Sequence, residues 1–203
     1  ATTVTAQSGD SIIFSGGGAT TFTTSNDAIT FGTGTVQLSD AADLTITSAN
    51  GAVSVASVGG TTSEDITINA GTGTLAVGAI GNADEINTVT LTGSTITLSG
   101  DITTSNAANN NVDINGAVVI SGAVDIDTDT AGTDGTIDFS STIVGDANNA
   151  TTDNLTIDSG GSTVTFNGTI GVAAPIAGFN VNQDGGNVAL TIPQLGTASG
   201  NAG

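Results

Sequence analysis

The chain has 203 residues with no Lys, Arg, His, Cys, Met, Trp or Tyr, and its 19 acidic side chains leave a net charge of −19. A polyanion of that density is repelled by nucleic acid and by anionic membrane surfaces, so neither is an expected partner. The same inventory excludes salt bridges with Lys or Arg, disulfides, thiol chemistry and the imidazole that general acid–base catalysis uses most often.

Six Phe are too few to centre a globule of this length, so the core must be built otherwise. Stacked coils of short strands meet that need, because aliphatic side chains of successive turns pile into continuous ladders. No apolar run approaches the roughly 18 residues of a membrane helix, so membrane insertion is not expected. A signal peptide needs a basic leading region, which this chain lacks; it starts at Ala1 and reads as a processed or excised segment. With no Lys or Arg it offers trypsin-like proteases no cleavage site, a property suited to life outside the cell.

Residues 1–28 are expected to form a lead-in coil, with a strand in the run Ala1-Thr2-Thr3-Val4-Thr5-Ala6. From 29 to 195 the chain repeats itself. Alternating segments recur as Leu44-Thr45-Ile46, Ile66-Thr67-Ile68, Val89-Thr90-Leu91, Val112-Asp113-Ile114, Leu155-Thr156-Ile157 and Phe179-Asn180-Val181. Where the spacing is regular it is roughly 22–24 residues, a solenoid period. Each segment places apolar side chains at i and i+2 with Thr, Asp or Asn between them, so one face points inward and the other meets water. A second block crosses a Gly- or Ser-containing turn: Ile96-Thr97-Leu98-Ser99-Gly100-Asp101-Ile102, Ile120-Ser121-Gly122-Ala123-Val124, Ile137-Asp138-Phe139-Ser140-Ser141-Thr142-Ile143 and Val164-Thr165-Phe166-Asn167-Gly168-Thr169-Ile170. Residues 196–203 are a small-residue tail, expected to be flexible or contact-forming.

Helix is not expected, given 30 Gly, dense β-branching and no apolar stripe at 3.6-residue spacing. One block alone can neither bury its apolar face nor satisfy its strand edges, so neighbouring blocks must stack. The fold class predicted is therefore all-β, a parallel β-helix (β-solenoid), right-handed, of roughly eight coils of about 22 residues, making a rod on the order of 40 Å long. A string of small β-sandwiches is the rival, but such domains usually have longer strands and generally bury a Trp or Tyr. Neither terminus carries the polar cap with which repeat proteins cover their ends. The expected partner is therefore more of the same: continuation in a larger repeat chain, or head-to-tail self-association into a filament, with the strand around Val4 a candidate to pair with a neighbour.

Three features carry a resemblance. They are the block Thr163-Val164-Thr165-Phe166-Asn167-Gly168-Thr169-Ile170, the Ser-Gly-Gly or Gly-Thr-Gly turns, and the Pro-containing lead into a next coil, Gly171-Val172-Ala173-Ala174-Pro175-Ile176-Ala177-Gly178-Phe179-Asn180-Val181. Over roughly residues 29–195 the chain resembles the filamentous-haemagglutinin and autotransporter class of bacterial surface proteins. The resemblance implies a right-handed parallel β-helix, a bacterial extracellular or cell-surface location, and adhesive or scaffolding work as a fibre or adhesin stalk. It implies no catalytic residue; apart from the Ca²⁺ weighed below, no cofactor is expected.

The densest acidic run is Asp125-Ile126-Asp127-Thr128-Asp129-Thr130-Ala131-Gly132-Thr133-Asp134. An EF-type loop wants Gly at its sixth position and Glu at its twelfth, where this run has Thr130 and Thr136. Read as strand, Val124 and Ile126 face the core while Asp125, Asp127 and Asp129 line the outside. With Asp134, and with Asp113 or Asp138 on a neighbouring coil, these carboxylates are the candidate ligands for Ca²⁺. The plainer reading is a solvated ladder of Asp that discourages sideways strand pairing.

Enzyme function is not expected. A β-helix lyase for acidic polysaccharide needs Arg or Lys to hold its substrate, and no Ser or Thr here has a His or Lys base. The alternative function is a lateral binding face for calcium, glycan or ice. The pairs Thr45/Thr47, Thr90/Thr92 and Thr95/Thr97 resemble the arrays of ice-binding solenoids, with Asp113, Asn115, Asp158 and Asn180 expected at equivalent positions to interrupt them. Stacked Thr also follows from β-propensity alone. Asn149, Asn154 and Asn167 each begin an N-x-S/T sequon, as chance allows in a chain this rich in Asn and Thr.

Overall fold

The computed structural model describes residues 2–4, 10–32, 34–61, 63–81, 85–104, 110–129, 134–146, 152–182 and 192–196. The chain winds over three faces in a fixed order, I, II, III. The first turn lays down β1 (Thr2–Val4), β2 (Ser11–Phe14) and β3 (Thr20–Thr24), and the second lays down β4 (Ile29–Phe31), β5 (Thr35–Leu38) and β6 (Leu44–Ser48). After that, strands bend around corners. β7 (Val53–Gly59) and β9 (Thr74–Ile80) each run from face I onto face II, with β8 (Asp65–Asn69) on face III between them. β10 (Thr88–Leu98) and β12 (Val112–Ile120) run from face III onto face I, separated by β11 (Ile102–Thr103) on face II. β13 (Ala123–Asp127), β14 (Ile137–Phe139), β15 (Ile143–Gly145), β16 (Asn154–Asp158), β17 (Val164–Phe166) and β18 (Gly178–Asn182) complete the series, and bridges at Ile170 and Leu195 extend face I.

Every pairing described is parallel, and each joins a strand to the same face of the next turn. This is the β-solenoid the alternation predicts. On face III the inward ladder runs Ile46, Ile68, Leu91, Ile114, Phe139, Phe166, and on face I it runs Phe31, Val55, Val77, Leu98, Ile120. These side chains are 0–2% exposed, and burying each is worth about 1.5–3 kcal/mol. The seven rungs of face III span six complete turns, somewhat fewer than the eight expected. The shortfall arises at the corners. A turn takes 22 residues from Val53 to Leu75 but 27 from Ile143 to Ile170, because the outer turns carry longer corner segments.

Two details of the repeat reading are corrected. Leu44, Ile66, Val89 and Val112 do share one ladder on face III, but Leu155-Thr156-Ile157 and Phe179-Asn180-Val181 lie on face II, so Ile157 does not stack with Ile68 and Leu91. Face III is continued instead by Ile137-Asp138-Phe139 and Val164-Thr165-Phe166. Likewise the turn blocks are of two kinds: Ile96–Ile102 and Ile120–Val124 cross from face I to face II, whereas Ile137–Ile143 and Val164–Ile170 cross from face III to face I. All three faces have the same two-residue alternation, so alternation cannot say which face a segment occupies. Residues 2–4, 11–14 and 20–24 of the lead-in region pair with the next turn as ordinary rungs. The tail from 197 onward lies outside the described residues.

Candidate functional site

The acidic run occupies the outside of face II and the corner after it. Val124 and Ile126 are buried, as alternation requires, and Asp125 projects outward. Its neighbours are not Asp113 and Asp138, which pair with each other on face III. They are Asp101 on the preceding turn, whose Oδ1 accepts the Asp125 N–H at 2.9 Å, and Asp127 and Asp158, which are in register with each other. Crowding raises the Asp125 carboxyl above the ordinary value, through partial desolvation first and then through Asp101, Asp127 and Asp158. Asp113 is raised in the same way by desolvation and by Asp138.

Beyond β13 the carboxylates hold the backbone. Asp127 Oδ1 accepts the Asp129 N–H at 2.8 Å, and Asp134 Oδ2 accepts the Gly161 N–H at 2.6 Å. Asp158 Oδ1 accepts the Gly160 N–H at 3.3 Å. A Cβ on Gly160 would touch the carboxyls of both Asp134 and Asp129, so the turn brings these two together. Thr130 and Gly132 lie outside the described residues. Among the described residues, no three carboxylates form a group able to hold a metal ion.

The outside of face III is different in chemistry. One column runs Thr21, Thr45, Thr67, Thr90 and then Asp113, and the column two residues on runs Thr23, Thr47, Asn69, Thr92 and then Asn115. Thr45/Thr47 and Thr90/Thr92 therefore belong to one array, with two rungs that the pairwise reading missed. Thr97, in contrast, lies outward on face I, in register with Ala76 and Val119. Asp158 and Asn180 are on face II and do not interrupt the array, whereas Asp113 and Asn115 end it.

Sequence reasoning also missed the polar groups that hold the corners. Glu64 is fully buried without a cation: its carboxylate accepts the Thr61 hydroxyl and N–H, each at 2.6 Å, and the N–H groups of Ala41 and Ser63, each at 3.1 Å. Burial works to raise its pKa, but these four donors outweigh it and leave the carboxyl below its ordinary value. The Thr61-x-x-Glu64 spacing, a capping pattern without a helix after it, was the available signal. Buried Asp153 likewise accepts the N–H of Gly122 at 2.9 Å and of Asp146 at 2.8 Å. Of the sequon residues, Asn167 is exposed and donates to Asp138 Oδ1 at 3.0 Å, Asn154 donates to the Thr152 carbonyl at 3.1 Å, and Asn149 lies outside the described residues.

Compared with known protein families, with curated proteins and with solved structures, the chain matches none.

Proposed function

We propose that this chain is a passive structural rod, a building block of an extracellular fibre or adhesin stalk of the bacterial cell surface, assembling through its solenoid ends and carrying out no reaction. The observation that supports assembly is the state of the two ends. Interior rungs bury their inward side chains completely, yet Val4, Ile12, Phe14 and Phe22 in the first turn, and Phe179, Val181 and Ile192 at the other end, are only partly covered. Leu195, in register with Ile170, is 53% exposed.

The six Phe are confined to these regions, at 14, 22 and 31 and at 139, 166 and 179. Phe14, Phe22 and Phe31 meet edge to face with centroids 5.8 and 5.3 Å apart, whereas Phe139 stacks face to face on Phe166 at 5.2 Å and Phe166 meets Phe179 edge on at 5.6 Å. Phe31, Phe139 and Phe166 are buried and the outer members, Phe14, Phe22 and Phe179, are partly exposed; aromatic bulk so placed beside a strand edge is the composition of an interface core. Among the described residues no strand pairs with the far edges of β1, β2, β3 or β18, and such edges template further pairing. An acidic surface without trypsin sites supports the extracellular placement.

Edge geometry supplies the test. Phe14 accepts the Ser39 N–H on the next turn, so by parallel-ladder alternation the Ile13 N–H lies at the free edge, and the Ile13 side chain is 65% exposed. Ile13→Pro removes that edge donor and spares the ladder, since Pro is tolerated on an edge. Negative-stain microscopy and sedimentation velocity should show wild-type rods joined end to end in a concentration-dependent way, and the variant as single rods roughly 35 Å long. Wild-type protein that stays a single particle at high concentration removes the assembly reading.

A further inference from the structure

Across its first four rungs, from β3 to the start of β10, the outer surface of face III carries seven Thr and one Asn in two columns, and no charge. The outward column of face I, Thr3, Thr30, Ser54, Ala76, Thr97, Val119 and Val144, is neutral too, but it mixes residue types where face III repeats Thr. The acidic column beside it, Asp43 and Asp65, is tied into the corner: Asp43 Oδ1 accepts the Asp65 N–H at 2.9 Å, and Asp65 Oδ1 accepts from Thr88 Oγ1 at 2.7 Å and Asn87 Nδ2 at 2.8 Å.

A second observation separates the Thr of this face from the Thr and Ser of the corners. Corner hydroxyls are consumed by the protein, as when Thr61 donates to Glu64, Thr72 to Asn50 and Ser94 to the Gly73 carbonyl. Among the described residues, none of the Thr hydroxyls of the two columns has a protein partner, so all are directed to water. The parallel register fixes their positions. Rungs repeat at about 4.8 Å and alternate residues along a strand at about 6.6 Å, and a β-branched side chain has little rotamer freedom. The result is a rigid two-dimensional grid of methyl and hydroxyl groups, roughly 7 by 14 Å.

We propose that this face binds crystalline ice. Each hydroxyl holds a water at a fixed grid point, so the array's bound water is already in periodic rows when it meets the lattice, and little freedom is lost on contact. Neutrality suits the partner: a carboxylate orients water radially around itself and resists lattice order, and the columns contain none until Asp113 ends them. The chain has no Trp or Tyr to stack on sugar rings, which favours ice over a crystalline polysaccharide.

The test is adsorption of the fluorescently labelled chain to growing polycrystalline ice, together with the gap between melting and freezing temperatures of a single crystal. Wild-type protein should be incorporated into the ice and open a measurable gap. Thr67→Tyr, a bulky side chain in the middle of the grid, should reduce both to the level of an inert protein. Thr90→Lys, whose flexible stem leaves the ladder intact while placing a charge among the columns, should do the same. Thr156→Tyr, outward on face II, should retain wild-type behaviour, with circular dichroism confirming that each variant is folded. Exclusion of the wild type from ice overturns the proposal, as does equal loss in the Thr67 and Thr156 variants. Retention on microcrystalline cellulose without adsorption to ice overturns it also. Rod assembly, read by microscopy, is unaffected by either result.

Discussion

Glu64 shows what a single side chain does in a chain without cations. Its four donors include the N–H of Ala41, which with Asp40 has a left-handed backbone, φ of 57° and 58°, at the corner between β5 and β6. Glu64→Ala leaves buried N–H groups unsatisfied and should cost about 2–3 kcal/mol in denaturant unfolding at neutral pH. The folded carboxyl lies below its unfolded value, so this stabilisation is complete above the unfolded pKa and is lost as pH falls through the folded one. The penalty of the variant should shrink accordingly in acid. Asp125 has the opposite sign. Its folded pKa is raised by partial desolvation first and then by Asp101, Asp127 and Asp158, so protonation relieves both, and the stabilising contribution disappears as pH rises through the folded pKa. Asp125→Asn should therefore raise the melting temperature at pH 7 by about 1–2 °C, a value discounted for solvent screening, with no gain at pH 3 and less in high salt.

At the scale of the strand, alternation made every ladder residue legible: Ile46, Ile68, Leu91 and Ile114 are buried for the reason their spacing announced. Corners were not legible, because they depend on close approaches between turns that leave no periodic mark. Gly81, at φ 73°, follows β9 and donates to the Val58 carbonyl at 2.8 Å. A Cβ there would run into the Thr103 carbonyl oxygen of the next turn, whereas one on Gly18 would meet nothing. Gly81→Ala should destabilise by roughly 2–4 kcal/mol, combining steric and backbone strain. Gly18→Ala should stay within about 1 kcal/mol of wild type, read from the same thermal or denaturant melts. The candidate site suffered the same blindness. Thr21, Thr23 and Thr67 join Thr45, Thr47, Thr90 and Thr92 only through register across turns, and Asp113 is separated from Asp125 by the change of face between them.

The whole molecule is a stack in which each turn touches its neighbours and little else, so its sides and ends have separate physics. Repulsion between the sides keeps rods apart at neutral pH. With no basic side chain to offset them, that repulsion fades only as the 19 carboxylates protonate, so turbidity in low salt should rise progressively as the pH is taken from about 4 down to about 2 and clear on return to pH 7. Turbidity that does not rise as the carboxylates protonate would mean that charge is not what keeps the sides apart.

Composition and two-residue alternation by themselves determined that this chain grows along an axis, with an aliphatic core, no helix among the described residues and a polyanionic exterior. Those properties depend on residue type and on neighbours two positions apart, both of which a sequence displays directly. Only the tertiary structure decided which segments share a face, and therefore which Thr form one array, which Asp crowd each other and where Glu64 finds its donors. Between paired strands the path around one turn varies from 21 residues between Leu75 and Ile96 to 31 between Val124 and Leu155. Side-by-side position across turns is the outcome of that whole path, corner by corner, and no local spacing encodes it.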